Sequence, residues 1–333
     1  MGCEKFDILI EKMKYVKRFY GLDCSYLVIT KGLEKDDWLK YRRCGLTGTD
    51  IASIAGVNKY AGGTHVWLDK KGQLEPIEQN EAMHWGTIIE PIIAKEFSNR
   101  TGLKIQNVNV ILQHKEYEFA LGNIDRLVTD ENGEKGILEI KTASEYIKSD
   151  WDDDKVPPKY MLQLQWYMFV TGVNYGYFAA LIGGNKYIQK YVKRDDELIE
   201  MLLEICKKFW NENILKNIPP IVDGNDSTKE LLTNMYPESV ENEILLPYEA
   251  GELIVELEEY KVKAKELDFE ITERENKLKQ FLGENERGLI DDKKIIWKTY
   301  IRSSVDSKKL KAEMPDIYEK YIKSSSYKKF SIK

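Results

Sequence analysis

The chain has 333 residues, 42% hydrophobic and 11% aromatic, enough to bury a full core and to form two domains. No apolar run approaches the roughly 20 residues of a membrane span, and Asp7 interrupts the short apolar stretch near the start, so neither an anchor nor a secretory leader is expected and a cytoplasmic location is. Four cysteines and three scattered histidines lack metal-ligand spacing, which argues against a zinc site, and the net charge of −6 argues against a broad nonspecific coat for nucleic acid, although residues 288–333 carry 12 Lys or Arg against 6 Asp or Glu.

Residues 4–20 read as an amphipathic packing helix with Phe6, Met13, Val16 and Tyr20 on one face. After the Gly21 break, Asp36–Arg43 forms a short helix that carries Arg42 towards the turn Thr47-Gly-Thr-Asp50, whose side chains suit the start of a helix closed by Gly56. Free N–H groups at such a start, together with a guanidinium and a hydroxyl, suit a terminal phosphate. A plain cap beside a surface arginine is the other reading. Residues 64–71 form a second short helix with Trp67 and Leu68 inside, and Asn80–Arg100 a long one. Pro91 sits within the long helix, where proline costs about 3 kcal/mol. Broken local rules often mark functional places, which draws attention to Glu90; by itself, a helical glutamate reads as solvent-facing.

Lys104–Leu112 reads as one strand, and Phe119–Leu121 leads into a strand delivering Asp125. Asp130–Glu134, with Asn132-Gly133, is a hairpin turn into the strand Ile137–Thr142. Alternation along that strand sends Leu138 and Ile140 to one face, and Glu139 and Lys141 to the other. The acidic stretch Asp150–Asp154 lacks calcium-loop spacing and reads as an exposed turn. Pro157-Pro158 starts a helix through Thr171, on which Gln163 and Tyr167 share a face while Met161, Leu164 and Met168 pack inward. A hairpin, Tyr175–Ile182 with Lys186–Val192, and a covering helix, Asp195–Asn213, follow.

The expected organisation is a first domain over 1–218, with its motifs in about 35–192, a linker over 219–246 opened by Pro219-Pro220, and an extension over 247–333. The extension begins with a charged helix to Leu282. Its Leu253, Leu257, Tyr260, Ala264, Leu267 and Ile271 are heptad-like over a few turns, which reads as a helical hairpin or docking arm rather than a long coiled coil. A basic strand-helix-strand unit, Ile295–Ile301, Ser307–Ile322 and Tyr327–Ile332, closes the chain and either flanks a partner or completes a core.

If Asp125 reaches the face of Glu139 and Lys141, two carboxylates and an ammonium converge where a hard divalent cation fits. Mg²⁺ is held by one or two carboxylates plus substrate phosphate. Bound there, it would polarise a phosphoryl oxygen while the lysine orients the attacking water. The same three residue types also occur on ordinary solvated hairpins.

Residues 121–141 resemble the PD-(D/E)XK nuclease core, with Asn123-Ile124-Asp125 in place of its Pro-Asp element. Pro158–Met168 is similar to the Gln-x-x-x-Tyr helix of the RecB-like and lambda-exonuclease branches. Arg42–Asp50 resembles the opening motif of the YqaJ-type viral recombinase family, and Gly86-Thr-Ile-Ile-Glu90-Pro91 resembles its Gly-x-x-x-Glu helix. Together they span about residues 35–185 in the family's order. The resemblance implies an α/β fold, a central mixed sheet flanked by helices, with a C-terminal helical and small α+β extension. It implies a Mg²⁺-dependent (or Mn²⁺-dependent) deoxyribonuclease that degrades duplex DNA from an end, 5′ to 3′, leaving 3′ tails for phage-type recombination.

In that scheme Asp125, Glu139 and Glu90 hold metal, and Lys141, Gln163 and Tyr167 complete the catalytic site. Arg42, Thr49 and Asn123 meet the 5′-phosphate, although Thr49 stands where the family usually has serine. A ring-like homotrimer and a single-strand annealing recombinase as partner are further implications. An endonuclease, a RecB-like exonuclease of other polarity, or a catalytically silent DNA-binding scaffold of the same fold remain alternatives. No Gly-x-x-x-x-Gly-Lys-Ser/Thr loop occurs, so no ATPase of that type is expected.

Overall fold

The computed structural model describes residues 2–74, 79–153, 155–222, 224, 226–236, 238–323 and 328–332, and divides into two units, Met1–Pro237 and Glu238–Lys333. In the first unit the chain runs α1 (Gly2–Tyr20), β1 (Ser25–Ile29), α2 (Lys35–Arg43), α3 (Gly48–Ile54), α4 (Gly63–Lys70) and α5 (Glu81–Thr101). The strands β2 (Lys104–Asn107), β3 (Val110–Gln113), β4 (Leu121–Gly122), β5 (Arg126–Thr129) and β6 (Lys135–Ala143) follow. Then come α6 (Pro158–Thr171), β7 (Tyr175–Ile182), β8 (Lys186–Lys193) and α7 (Asp196–Lys208), which widens into a π-helical segment, Phe209–Leu215, before α8 (Asp226–Met235). The last of these lies within the segment expected to be a linker.

The main sheet has the order β2-β5-β6-β7-β8, and only β6 and β7 are parallel. Parallel neighbours need a crossover, and α6 supplies it, so both faces of β6 are covered. On one face Leu138 and Ile140 pack with Ile93, Ala94 and Phe97 of α5. On the other, Ile137 and Phe178 join Leu164 and Met168 of α6. Every residue of α6 from Leu162 to Thr171 is buried, as expected of a helix that is largely apolar around its whole circumference. Its Pro158 opens the helix where a missing N–H is harmless, and Gly172, at φ +74°, ends it.

The β5–β6 turn is built as its residues suggest. Asp130 Oδ1 accepts the N–H groups of Asn132 and Glu134 at 2.9 and 2.8 Å, and Gly133 takes φ +82°. Asn80 Oδ1 caps α5 through the Met83 N–H at 2.9 Å, and α5 continues through Pro91 to Thr101. In α1, Val16 and Tyr20 are buried as anticipated, whereas Phe6 falls outside the described side chains.

Three segments differ from expectation. Lys104–Leu112 is not one strand: Val108 and Asn109 separate β2, which pairs with β5, from β3, which lies between β1 and β4 in a second sheet. The Asn109 N–H donates to Tyr20 Oη and its carbonyl accepts from Thr30 N, so this backbone is held by distant residues rather than by its own alternation. The acidic stretch is anchored, not simply exposed. It closes a 3₁₀ segment, Glu145–Trp151, whose Trp151 is buried against Tyr160 and Phe178, while Asp154 lies outside the described residues.

The third difference is in the second unit, which comprises α9 (Glu249–Leu282), the antiparallel hairpin β9 (Arg287–Ile290) with β10 (Lys293–Ile296), and two short helices, α10 (Ser307–Glu313) and α11 (Pro315–Tyr321). The strand expected over Ile295–Ile301 ends at Ile296, having begun earlier, and Pro315 opens a new helix where one was expected. Of the expected final strand, residues 328–332 have no regular structure and Tyr327 lies outside the described residues. No helix among the described residues is long and apolar enough to cross a membrane.

Trp166, 1% exposed, fills the space between α6 and the second sheet and donates its indole N–H to the Leu121 carbonyl at 3.1 Å. Trp166→Ala should therefore destabilise the protein by about 3–5 kcal/mol, through a cavity and an orphaned carbonyl, as measured by urea unfolding.

Candidate active site

Glu139 belongs to the face of β6 that α6 covers, and it is 2% exposed. The solvated-hairpin reading therefore does not hold. A buried carboxylate needs partners, and α6 provides one four residues from another. Gln163 Nε2 donates to Glu139 Oε1 at 2.7 Å and lies 3.1 Å from Tyr167 Oη. Lys141 Nζ contacts the same Glu139 oxygen at 2.6 Å, reaches Gln163 Oε1 at 3.2 Å, and sits 4.7 Å from the centre of the Tyr160 ring. Glu139 Oε2 is buried and has no hydrogen-bond partner among the described residues.

The β5–β6 register ends at Arg126 opposite Leu138, which brings Asp125 across from Glu139. Asp125 Oδ2 accepts the Ile140 N–H at 2.8 Å. Glu90, from α5, pairs with Arg126 Nη1 at 2.7 Å, and that same guanidinium nitrogen donates to the Asp125 carbonyl. A cavity of about 330 Å³ is lined by Glu90, Asp125, Glu139 and Lys141, with Met83 and Thr87 at its α5 side. The three expected metal-binding carboxylates thus face one cavity. Among the described residues, however, no group of three metal-binding side chains stands close enough to form a ready-made cage.

Charge explains what the cavity lacks. Lys141 is matched to Glu139 and Arg126 to Glu90, leaving Asp125 without an ion-pair partner of its own among the described residues. Burial, followed by the nearby Glu139 charge, pushes the Asp125 carboxyl well above the usual carboxylate range, and burial also raises Glu139 despite Lys141. Burial alone would lower Lys141, but Glu139 and Asp125 outweigh it and hold the ammonium charged. Burial and then Glu139 push the Tyr167 phenol well up, so it stays a neutral hydrogen-bonding group. An unpartnered carboxylate oxygen beside a second, reluctant carboxylate is a donor set that fits a hard divalent cation.

The Arg42–Thr49 motif forms its own cavity of about 400 Å³, lined also by Trp38, Arg43, Asn58 and His65. Met83 lines both cavities. Arg42 Nη2 donates to Thr47 Oγ1 at 3.0 Å and Thr49 Oγ1 at 2.9 Å, and its guanidinium lies 4.6 Å from the Trp38 ring centre. Asp50 closes the turn by accepting the Thr47 N–H at 2.7 Å. Burial alone would raise Asp50, yet Lys70 and Arg42 hold it below its usual value. Gly48 lets this turn lie against α6: a Cβ there would stand 2.6 Å from Tyr167 Cε1 and 2.8 Å from Gln163 Cγ. Asn123, the other expected phosphate ligand, directly follows β4, half-buried, two residues before Asp125.

Sequence reasoning missed Arg126, Gly48 and Lys70. Arg126 adjoins Asp125 and shares none of its alternation, and the role of Gly48 depends on a helix more than a hundred residues away. Lys70, 1% exposed at its side chain, pairs with Asp50 at 2.7 Å and donates to the Arg42 carbonyl at 3.3 Å, with no motif to announce it.

The first unit thus combines a mixed sheet that carries Asp125 and Glu139, a helix that carries Gln163 and Tyr167, and an arginine-threonine cavity. The YqaJ-like viral recombinase domain model matches residues 37–174. Protein YqaJ of Bacillus subtilis (strain 168) is 39% identical over 305 residues, covering 90% of this chain and 95% of its own. The chain belongs to the YqaJ family. A protein of Acanthamoeba polyphaga mimivirus is 27% identical over 173 residues, 49% of this chain and 31% of that one. Among solved structures, an alkaline exonuclease from Laribacter hongkongensis is similar with a TM-score of 0.46 and 21% identity, covering 61% of this chain and 99% of that chain.

The raised Asp125 carboxyl has a stability consequence. A group whose folded-state pKa lies above its unfolded value favours the fold while protonated, and that contribution is lost as pH rises through the folded pKa. Metal-free Asp125→Asn should therefore be more stable than the parent at neutral and alkaline pH, with the gap closing in acid. Thermal unfolding of both proteins across pH in the presence of a chelator measures it.

Proposed function

We propose that this protein is a metal-dependent deoxyribonuclease that degrades one strand of duplex DNA from a 5′-phosphorylated end. The observation that carries the reading is the unpartnered, buried Glu139 Oε2 beside Asp125, in a cavity that shares Met83 with the Arg42–Thr49 cavity. Family membership supports a role in recombination of the phage type.

Asp125 and Glu139, with Glu90 once released from Arg126, would hold Mg²⁺ or Mn²⁺. Such an ion would supply charge at the scissile phosphate and a water of lowered pKa. Lys141, charged and held between Glu139, Gln163 and the Tyr160 ring, orients a water for attack and offsets charge developing on the phosphoryl oxygens. Gln163 fixes Glu139 Oε1, which leaves Oε2 free to bind, and the neutral Tyr167 phenol steadies Gln163. Arg42 has N–H groups beyond those given to Thr47 and Thr49, and a planar guanidinium is suited to two oxygens of a terminal phosphate. Thr49 adds a hydroxyl, and Asn123 is the remaining candidate for that phosphate. The 3′ tails left by such digestion are substrates for a single-strand annealing protein. That partner and a ring-like homotrimer are what the resemblance adds to the reading.

Digestion of linear duplex with 5′-phosphate or 5′-hydroxyl ends, beside a closed circle, tests it. Linear 5′-phosphate DNA should be shortened in the presence of Mg²⁺ while the circle survives, and Glu139→Ala should lower the rate by at least about a hundredfold. Arg42→Ala should abolish the 5′-phosphate preference while leaving slow digestion. A nicked or linearised circle would favour an endonuclease, and no divalent-dependent cleavage of any substrate would favour a DNA-binding scaffold.

A further inference from the structure

The second unit presents its own unexplained surface. Helix α9 is continuous over 34 residues, about 50 Å at 1.5 Å per residue, and among the described residues Leu282 is the only side chain buried along it. Alternating steps of four and three lead from Leu253 through Leu257, Tyr260, Ala264, Leu267 and Ile271. Extended forward, the same steps reach Arg274, Leu278 and Phe281; extended backward, Ala250. That is a heptad seam along nearly the whole helix, longer than the few turns first legible. Leu253 and Tyr260 are each 64% exposed, and Phe281 85%. Ion pairs within the helix, Lys263–Glu259, Arg274–Glu270 and Lys277–Glu273, involve none of the apolar residues of the stripe; of the seam positions Arg274 alone takes part, at 3.2 Å from Glu270. An apolar stripe of this length on a charged helix is a surface for a partner.

We propose that α9 pairs with α9 of a second copy of this chain as an antiparallel two-stranded coiled coil, centred between Lys265 and Glu266. Three features of the sequence select this occupant and orientation. In that register large faces small, with Ala250 opposite Phe281 of the second copy and Ala264 opposite Leu267. Leu253 meets Leu278, and Tyr260 meets Ile271. The flanking charges also match: Glu256 faces Lys277, Lys263 faces Glu270, and Lys261 faces Asp268, each twice by symmetry and none against a like charge. The third feature is Arg274. A parallel pair would set Arg274 against Arg274 across the seam and Glu270 against Glu275, whereas the antiparallel pair sets Arg274 against Leu257, where its stem can pack and its head can reach water. The pairing joins two chains through their arms, independently of the nuclease reading.

Site-specific disulfide trapping of the full chain tests it, in a Cys3→Ser, Cys44→Ser background that retains only the buried Cys24 and Cys206. On mild oxidation, a mixture of Leu253→Cys and Leu278→Cys chains should give a covalent dimer on a non-reducing gel, and either chain alone should not. In the mixture, adding Lys263→Glu to both chains should slow trapping at least several-fold, and adding Glu270→Lys as well should restore it. Trapping by either cysteine variant alone would establish a parallel pair and overturn the proposal. No trapping in the mixture would assign the stripe to another partner, and indifference to Lys263→Glu would remove the charge-set register.

Discussion

The burial of Glu139 is the constraint on which the first unit turns. A carboxylate at 2% exposure is costly unless it is bonded, and its bonds come from two elements: Lys141 from its own strand and Gln163 from α6. The parallel pairing of β6 with β7 requires α6 as a crossover, and the crossover is what closes over Glu139. The same topology that makes the sheet therefore buries Glu139. Among the described residues one oxygen of Glu139 is satisfied and the other is left over, and the Asp125 carboxylate beside it accepts a backbone N–H and no other hydrogen bond. The fold holds an unbalanced pair of acids at the cost of stability, as functional sites commonly do.

A chain of contacts connects this acid pair to the Arg42 cavity. Tyr167 and Gln163 occupy one face of α6, and Gly48 allows the Thr47–Asp50 turn to rest on them without a side chain between. Lys70 and Asp50 fix the other side of the turn and, through the Arg42 carbonyl, the base of the arginine. Arg42 then spans two threonine hydroxyls with its face on Trp38. Displacing the turn would thus disturb both cavities together.

Much of this was legible in the sequence where the physics is local. Alternation put Glu139 with Lys141, the turn chemistry of Asp130–Glu134 joined their strand to Asp125, and a spacing of four put Gln163 with Tyr167. The covering of Glu139 was not legible, because a period of two says which residues share a face and nothing about what lies over it. The break at Val108-Asn109 depends on a tyrosine in α1, and the burial of Trp151 on aromatic residues of α6 and β7. Those are contacts between distant segments, for which an acidic or alternating stretch offers no sign. In the second unit the heptad spacing was visible, but its full length needed the unbroken helix.

The central claim is that Asp125 and Glu139 form a cation seat, and Mn²⁺ binding followed by electron paramagnetic resonance tests it without recourse to activity. The account predicts stoichiometric Mn²⁺ binding by the parent, displaced by Mg²⁺, weakening as pH falls because the raised Asp125 carboxyl must lose its proton, and lost in Glu139→Gln. Unchanged Mn²⁺ binding in Glu139→Gln, or none in the parent, would contradict it.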